Sequence, residues 1–367
     1  MTEKKTENTV ALPETMAPRI MDWYAEKGRS LPWRRTSDPY AIWISEIMLQ
    51  QTQVDTVIPY YERFLRTLPD IPSLAAADEE TVLKLWEGLG YYRRAMHLRE
   101  AAGQMMSTWG GRMPEHYEDL LHIKGIGSYT AAAISSIAFG EARGVVDGNI
   151  LRILSRLLNL PDNIALDATH KKYQQIMDAA IANADPSAFN QGMMDLGAVI
   201  CTPVRPACGE CPLTAICLGR AAGRERLLPV NLKKVKKSEA AFITAIIRRG
   251  EDYLILRNPP GLLGGLYGLV QYEAPDPEAF EDLFAAEYGC RVRLTEYLKD
   301  FKHVFTHRTW QMHVYTGDLV TVSPKAEAML VSEEQLDALP VSTAHLKVLR
   351  AYRKSQPSPG TAETARK

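Results

Sequence analysis

From Ile20 to about residue 200 the apolar positions of the chain recur every three or four residues, and from about residue 240 they begin to alternate. The first period belongs to helices and the second to strands. Helices are predicted over 41–51, 55–68, 78–88, 91–109, 117–122, 128–139, 149–158, 169–184 and 188–199. The first of these, AIWISEIMLQQ, is apolar on most sides and reads as a buried helix. Strand-like runs come next at 241–248, 253–257, 267–272, 291–301 and 309–316, with helices over 277–288 and 342–354. The pattern is that of a multidomain protein, an all-α domain followed by an α+β domain.

The boundaries follow composition. Residues 1–15 are polar and expected to be disordered, and 16–226 form the helical domain. Residues 227–239, LLPVNLKKVKKSE, read as a lysine-rich linker. The α+β domain covers 240–354, and 355–367, rich in Pro, Gly, Ser and Thr, is expected to be a disordered tail.

The 367 residues carry a net charge of −1, so bulk charge does not announce a polyanion. Phosphate binding must come from local patches and aimed amides. The start, MTEKKTENTV, has no apolar stretch of a signal peptide, and no run approaches the ~18 apolar residues a membrane span needs. A cytoplasmic, monomeric protein without membrane contact is expected. Four of the five cysteines, Cys201, Cys208, Cys211 and Cys217, are spaced C-x6-C-x2-C-x5-C, which argues for metal ligation over disulfides. The uneven single cluster fits one [4Fe-4S] centre better than the paired C-x2-C of zinc, which stays as the alternative.

The candidate chemistry centres on LLHIKGIGSYT, with a tight turn at Gly125 and Gly127 opening a small-residue helix, and on Val146-Asp147-Gly148-Asn149 further on. The two glycines permit a hairpin that a Cβ strains, and its amides with the following helix start can hold an anion; Lys124 adds a cation. Glu46 lies in the apolar helix between Ile44 and Ile47; desolvation there raises its pKa and suits a general acid, while a buried Glu tied to an Arg is the plain alternative. Asp147 reads equally as a helix N-cap and as an ionised carboxylate held by the donors of a helix start. One protonated and one charged acid is the division of labour of glycoside hydrolysis.

The hairpin, VDGN and the cysteine spacing, together with Leu31-Pro32-Trp33-Arg34, SEIMLQQT at 45–52, WEGLGYY at 86–92 and Phe305-Thr306-His307, resemble the helix-hairpin-helix DNA glycosylase superfamily, and within it the MutY-type adenine glycosylases. The resemblance spans about residues 17–354. It implies a helix-hairpin-helix domain with an iron–sulfur loop at 201–217 and a Nudix-like second domain. It also implies a monofunctional enzyme that hydrolyses the N-glycosidic bond of adenine paired with 8-oxoguanine or guanine in duplex DNA, in base excision repair. Glu46 is then the acid that protonates adenine at N7, and Asp147 the anion that meets the sugar in a retaining reaction. Asn149 assists Asp147, and so does Tyr129, a phenol where related lyases hold a lysine. Gln51, Leu89 and Tyr91 resemble the wedge that fills the gap left by an extruded base, and Trp33 and Arg34 the adenine pocket wall. Gln191 stands at a family position that usually carries an acid or amide. Thr52, Lys124, Gly125 and Gly127 belong to the DNA-binding set, and Phe305, Thr306 and His307 to the loop that checks the opposite base, with Thr306 replacing the usual serine. The helix over 277–288 lacks the Arg-Glu and paired glutamates of Nudix hydrolases, which argues against magnesium-dependent hydrolysis. Downstream repair proteins are possible partners. A lyase or pyrimidine glycosylase, and a non-catalytic lesion binder, are the rival readings.

Overall fold

The computed structural model describes residues 12–232, 237–321 and 329–356. Most of the expected disordered N-terminus, the linker lysines Lys233, Lys234 and Lys236, and nearly all of the tail lie outside the described residues. In chain order the helices begin with α1 (Met16–Lys27), a 3-10 turn (Pro32–Arg34), α2 (Pro39–Leu49), α3 (Val54–Thr67), α4 (Ile71–Ala76), α5 (Glu79–Trp86) and α6 (Arg93–Thr108). They continue with α7 (Tyr117–Leu120), α8 (Ser128–Phe139), α9 (Gly148–Leu157), α10 (Asp167–Ile181), α11 (Pro186–Asp195), a π-helical turn (Leu196–Ile200) and α12 (Leu218–Ala221). The strands are β1 (Ser238–Arg249), β2 (Asp252–Arg257), β3 (Tyr267–Gly268), β4 (Val270–Tyr272), β5 (Val292–Val304), β6 (Arg308–Leu319) and β7 (Met329–Val331), with α13 (Pro277–Tyr288) between β4 and β5. Two helices close the chain, α14 (Glu333–Ala338) and α15 (Thr343–Ser355). None of the described helices is long and apolar enough to cross a membrane.

Contacts divide the chain into two compact units, one made of residues 1–76 and 97–234, the other of 77–96 and 235–367. The sequence reading keeps 77–96 with the helical domain. In the structure this segment is gathered onto the strand-rich unit: Glu80 accepts from the Tyr267 hydroxyl at 2.5 Å, Lys84 donates to the Leu339 carbonyl at 2.9 Å, and Glu87 accepts from the Val341 amide at 2.8 Å. Part of the expected linker is likewise pinned, with the Leu228 carbonyl accepting from Arg156 and Val230 bridging to Asn163.

In the helical unit α2 is buried from Tyr40 to Met48 and packs against α3 and α8. Its sequence explains this, since a helix apolar all round has no face to offer water. Asp38 caps it, and Pro39 supplies the fixed φ of a first helical residue. α8, made of Ala, Ser and Ile, is thin enough to lie between α2 and α11. The strand-rich unit holds a mixed sheet in the order β3-β2-β1-β6-β5, with β4 on β1 and β7 on β2. β1 and β6 run parallel, and the other pairs are antiparallel. β1 is buried from Phe242 to Ile247, so both faces of the sheet are covered. Ile243, Ala245 and Ile247 pack with Phe280 and Phe284 of α13. His345 of α15 accepts from the Leu269 amide and meets Gln271.

Candidate active site

Three elements bring the chemistry together in the helical unit. α2 presents Glu46 from its buried length, the first turn of α8 presents Tyr129, and Asp147 is the N-cap of α9. All three line one cavity of about 210 Å³, with Trp33, Arg34, Ser45, Thr52, Asn149, Gln191 and Met194.

The two carboxyls stand in different surroundings. Glu46 is 6% exposed, and burial pushes it up to about 7, with the Tyr129 phenol and Arg34 pulling the other way. Tyr129 is held well above the usual phenol range by burial and by both acids, so it serves Glu46 as a hydrogen-bond donor. The phenol thus meets Glu46 and also feels the charge of Asp147, the acid the sequence places it beside. Asp147 is also raised by burial, but a dense donor set opposes that: Oδ1 accepts from the amides of Asn149 at 2.9 Å and Ile150 at 2.8 Å, and Oδ2 accepts from the Asn149 side chain at 2.8 Å. Arg152 adds positive charge one turn on. Asp147 is thus plainly the N-cap of α9, and the same donors oppose the neutral form that burial favours.

Asp195 and Arg152, which help build this site, are not legible in the sequence, and Gln191, named there without a role, gains its partners here. Asp195 is fully buried and accepts from the Arg29 amide and side chain and from Arg34 at 2.5 Å. Burial pushes its carboxyl up, but the guanidinium groups of Arg34 and Arg29 bring it below the usual range. This pair, not Glu46, neutralises Arg34 and fixes it against the cavity. Gln191 has both ends of its amide engaged, accepting from Tyr24 at 3.2 Å and donating to Ser187 at 2.8 Å. Arg152 donates to the Asn149 side chain at 2.9 Å, the Gly197 carbonyl at 2.8 Å and the Cys201 carbonyl at 2.7 Å, joining the Asp147 cap to the cysteine loop. An arginine in a helix reads as solvent-facing, and only the burial of α9 on all sides reverses that reading.

Cys201, Cys208, Cys211 and Cys217 line a common cavity of about 30 Å³. Arg156 holds the loop through the carbonyls of Thr202 at 2.7 Å and Pro203 at 2.8 Å, and points toward the Cys201 sulfur at 3.4 Å. Burial and the neighbouring sulfurs push Cys211 up to about 11 and raise Cys217. Four thiols lining one cavity ionise together only around a cationic centre, and an all-thiolate donor set suits one [4Fe-4S] cluster.

The expected DNA-contacting residues fall into separate groups. Gly125 has φ +77°, and a Cβ there meets His97 at 2.8 Å, so the hairpin needs that glycine. Gly127, at φ −95°, does not need its freedom, and its missing side chain leaves open space over the start of α8. Lys124 pairs with Glu100 at 3.4 Å, and its amide donates to Gln104. Gln51 is exposed just after α2 at φ +57°. Leu89, Tyr91, Phe305, Thr306 and His307 meet in the strand-rich unit, around a second cavity of about 360 Å³. There Leu89 is 6% exposed and part of the wall, whereas Tyr91 is 43% exposed at φ +48° with its hydroxyl bonded to Thr306. Arg94 holds this loop, stacking over Trp86 and Tyr91 and donating to the Gly90 carbonyl at 3.1 Å. On α13, Glu281 accepts from the Leu294 amide and Glu287 from the Tyr272 hydroxyl, so both acids serve the fold.

Family profiles match the chain in three places: an HhH-GPD superfamily base excision DNA repair protein over 44–182, the iron-sulfur binding domain of endonuclease III over 201–217 and a NUDIX domain over 243–351. The chain is 44% identical to an adenine DNA glycosylase of Mus musculus, over 91% of this chain and 77% of that protein. It is 33% identical to an adenine DNA glycosylase of Buchnera aphidicola subsp. Baizongia pistaciae, over 79% of this chain and 82% of that one. Among solved structures, a thermostable thymine-DNA glycosylase superposes with a TM-score of 0.52 at 28% identity, covering 57% of this chain and 96% of that chain.

Proposed function

The chain belongs to the adenine DNA glycosylases, enzymes that remove adenine from DNA, and from that premise we propose that its substrate is adenine paired with 8-oxoguanine, and less favourably with guanine. The observation that carries the mechanism is a dry carboxyl and a heavily hydrogen-bonded carboxylate facing one cavity. Glu46 donates its proton to N7 of the extruded adenine. The C1′–N9 bond breaks with its electron pair passing to the purine, and positive charge develops on the sugar. Asp147 meets that charge and closes a C1′–O bond. Glu46, now the base, takes a proton from water as the water displaces Asp147, leaving an abasic site of retained configuration. Asn149 holds Asp147, Arg152 in turn holds Asn149, and Tyr129 holds Glu46. No amine occupies position 129, so the backbone is not cut. Cys201, Cys208, Cys211 and Cys217 would hold the [4Fe-4S] cluster, which would supply a structural centre for the 201–217 loop. The hairpin at Gly125 receives phosphate, Gln51 enters the stack, and the cavity walled by Leu89, Tyr91 and the 305–307 loop receives the base opposite adenine. The enzyme works as a monomer in the cytoplasm.

The test is a single-turnover assay on duplexes with adenine opposite 8-oxoguanine, guanine or thymine. Adenine release that declines in this order, with strand breaks only after alkali, is the expected result. Strand cleavage without alkali, or equal rates on all three duplexes, removes the reading. Borohydride trapping should fail with the native chain and appear with Tyr129→Lys.

A further inference from the structure

We infer that one face of α15 is a ridge that tracks the phosphate backbone of the duplex beyond the second cavity. The inference goes beyond base recognition but rests on the reading that this cavity receives the base opposite adenine. α15 has the sequence TAHLKVLRAYRKS and contains no acid. Its buried side is Ala344, His345, Val348, Leu349 and Tyr352. Its exposed cations are Lys347, Arg350 and Lys354. With Thr343 these sit at i, i+4, i+7 and i+11, which is a single stripe on an α-helix. Thr343 lines the cavity and is bonded to the Tyr92 hydroxyl at 3.0 Å, so the stripe starts at the cavity lip. Burial lowers the pKa of the His303 imidazole of the cavity wall, and the charge of Lys347, the next residue along the stripe, adds to that lowering.

Pairing separates this stripe from an ordinary solvated face. Arg353, off the stripe, is held by Glu333 and Asp337, whereas among the described residues none of the three stripe cations has a carboxylate within 4 Å. A membrane surface is a poor fit, because the apolar side of α15 is already buried in its own domain. The stripe is about 16 Å long at 1.5 Å per residue. Duplex DNA carries one charge per about 1.7 Å of axis, so a cation ridge of that length faces several phosphates. The chain has no net positive charge to draw DNA in, which makes a local ridge the efficient way to hold the duplex.

The experiment measures the salt dependence of binding, by fluorescence anisotropy of the cluster-containing full chain on an undamaged duplex. It compares the native chain, Arg350→Gln, and the triple variant Lys347→Gln, Arg350→Gln, Lys354→Gln. Each lost phosphate contact flattens the log–log slope by about 0.9, so the single variant should lose about one and the triple about three. All substitutions are at exposed positions, and thermal melts check the fold. An unchanged slope in the triple variant overturns the ridge, whether or not the melting temperature moves. Thr306→Ala, assayed in parallel for preference between 8-oxoguanine and guanine, separates the two readings. A flattened slope with no effect of Thr306→Ala keeps the ridge and removes the cavity reading. The reverse pattern keeps the cavity reading and removes the ridge.

Discussion

At the scale of single residues, the acid role proposed for Glu46 ties the rate to its protonation, and its burial ties stability to the same proton. With a carboxyl at about 7, the acid form is the minority species above neutrality. The single-turnover rate should therefore fall about tenfold per pH unit above that point, and a pH–rate profile of the free enzyme reads it directly. The stability consequence has a definite sign. Between 4.5 and about 7 the folded chain holds a proton that the unfolded chain has released, so stability declines as pH rises through that window. At about 1.36 kcal/mol per pH unit the loss is roughly 3 kcal/mol. Glu46→Gln should remove turnover, and its melting temperature should exceed that of the native chain at pH 8 by more than it does at pH 5. Asp147→Asn should also remove turnover, yet with little loss of stability, since asparagine caps a helix about as well as aspartate. Melting curves of the two variants at both pH values check this pair of statements.

At the scale of elements, the π-helical turn at Leu196–Ile200 joins the cavity lined by Glu46 and Asp147 to the cysteine loop. Such turns recur at functional sites because they rotate the succeeding residues out of α-helical register. Here Gly197 lies against Asn149, and a Cβ at Gly197 falls 2.7 Å from the Asn149 Cβ. Gly197→Ala should push Asn149 off Asp147 and lower the chemical rate, on the order of 100-fold for a displacement near 1 Å. Iron content and duplex affinity should stay unchanged, and single-turnover kinetics beside iron analysis is the measurement. Helices such as α8 and α13 were legible in the sequence, since they begin and end where glycine, Asp276 and the apolar period place them. The π-helical turn was not, because nothing in LGAVI departs from an ordinary helical pattern. Short elements such as α4 and α14 also escape, being too brief to show a period. Glu46 and Asp147 were legible because an acid among isoleucines and an acid at a helix start each carry a physical signal. Asp195 carries none, since its meaning comes from Arg29 and Arg34, more than 160 residues away in the chain.

At the scale of the whole molecule, the grouping of 77–96 with the second unit could not be read from periodicity, which fixes a helix but not its neighbours. That grouping places Tyr91 and Thr306 in hydrogen-bond contact within one unit, so the second cavity, proposed to take the opposite base, has its wall in place without DNA. Thr306→Val keeps the shape and removes the hydroxyl. It should narrow the preference for 8-oxoguanine over guanine by about tenfold, the worth of one hydrogen bond. Tyr91→Phe should give a similar change, and the double variant should cost less than the two added together. Relative single-turnover rates on the two duplexes decide it. Cleavage chemistry on a duplex with a pre-extruded adenine should be unaffected in all three.

Gln51 and Tyr91 both hold a left-handed backbone with a full side chain attached. Each conformation costs an L-residue on the order of 1–2 kcal/mol that glycine does not incur. Laboratory selection for heat resistance alone should therefore rewrite these two positions early, and the winners should melt later while repairing worse. Such a library, sequenced after heating, is a map of where this enzyme trades durability for grip.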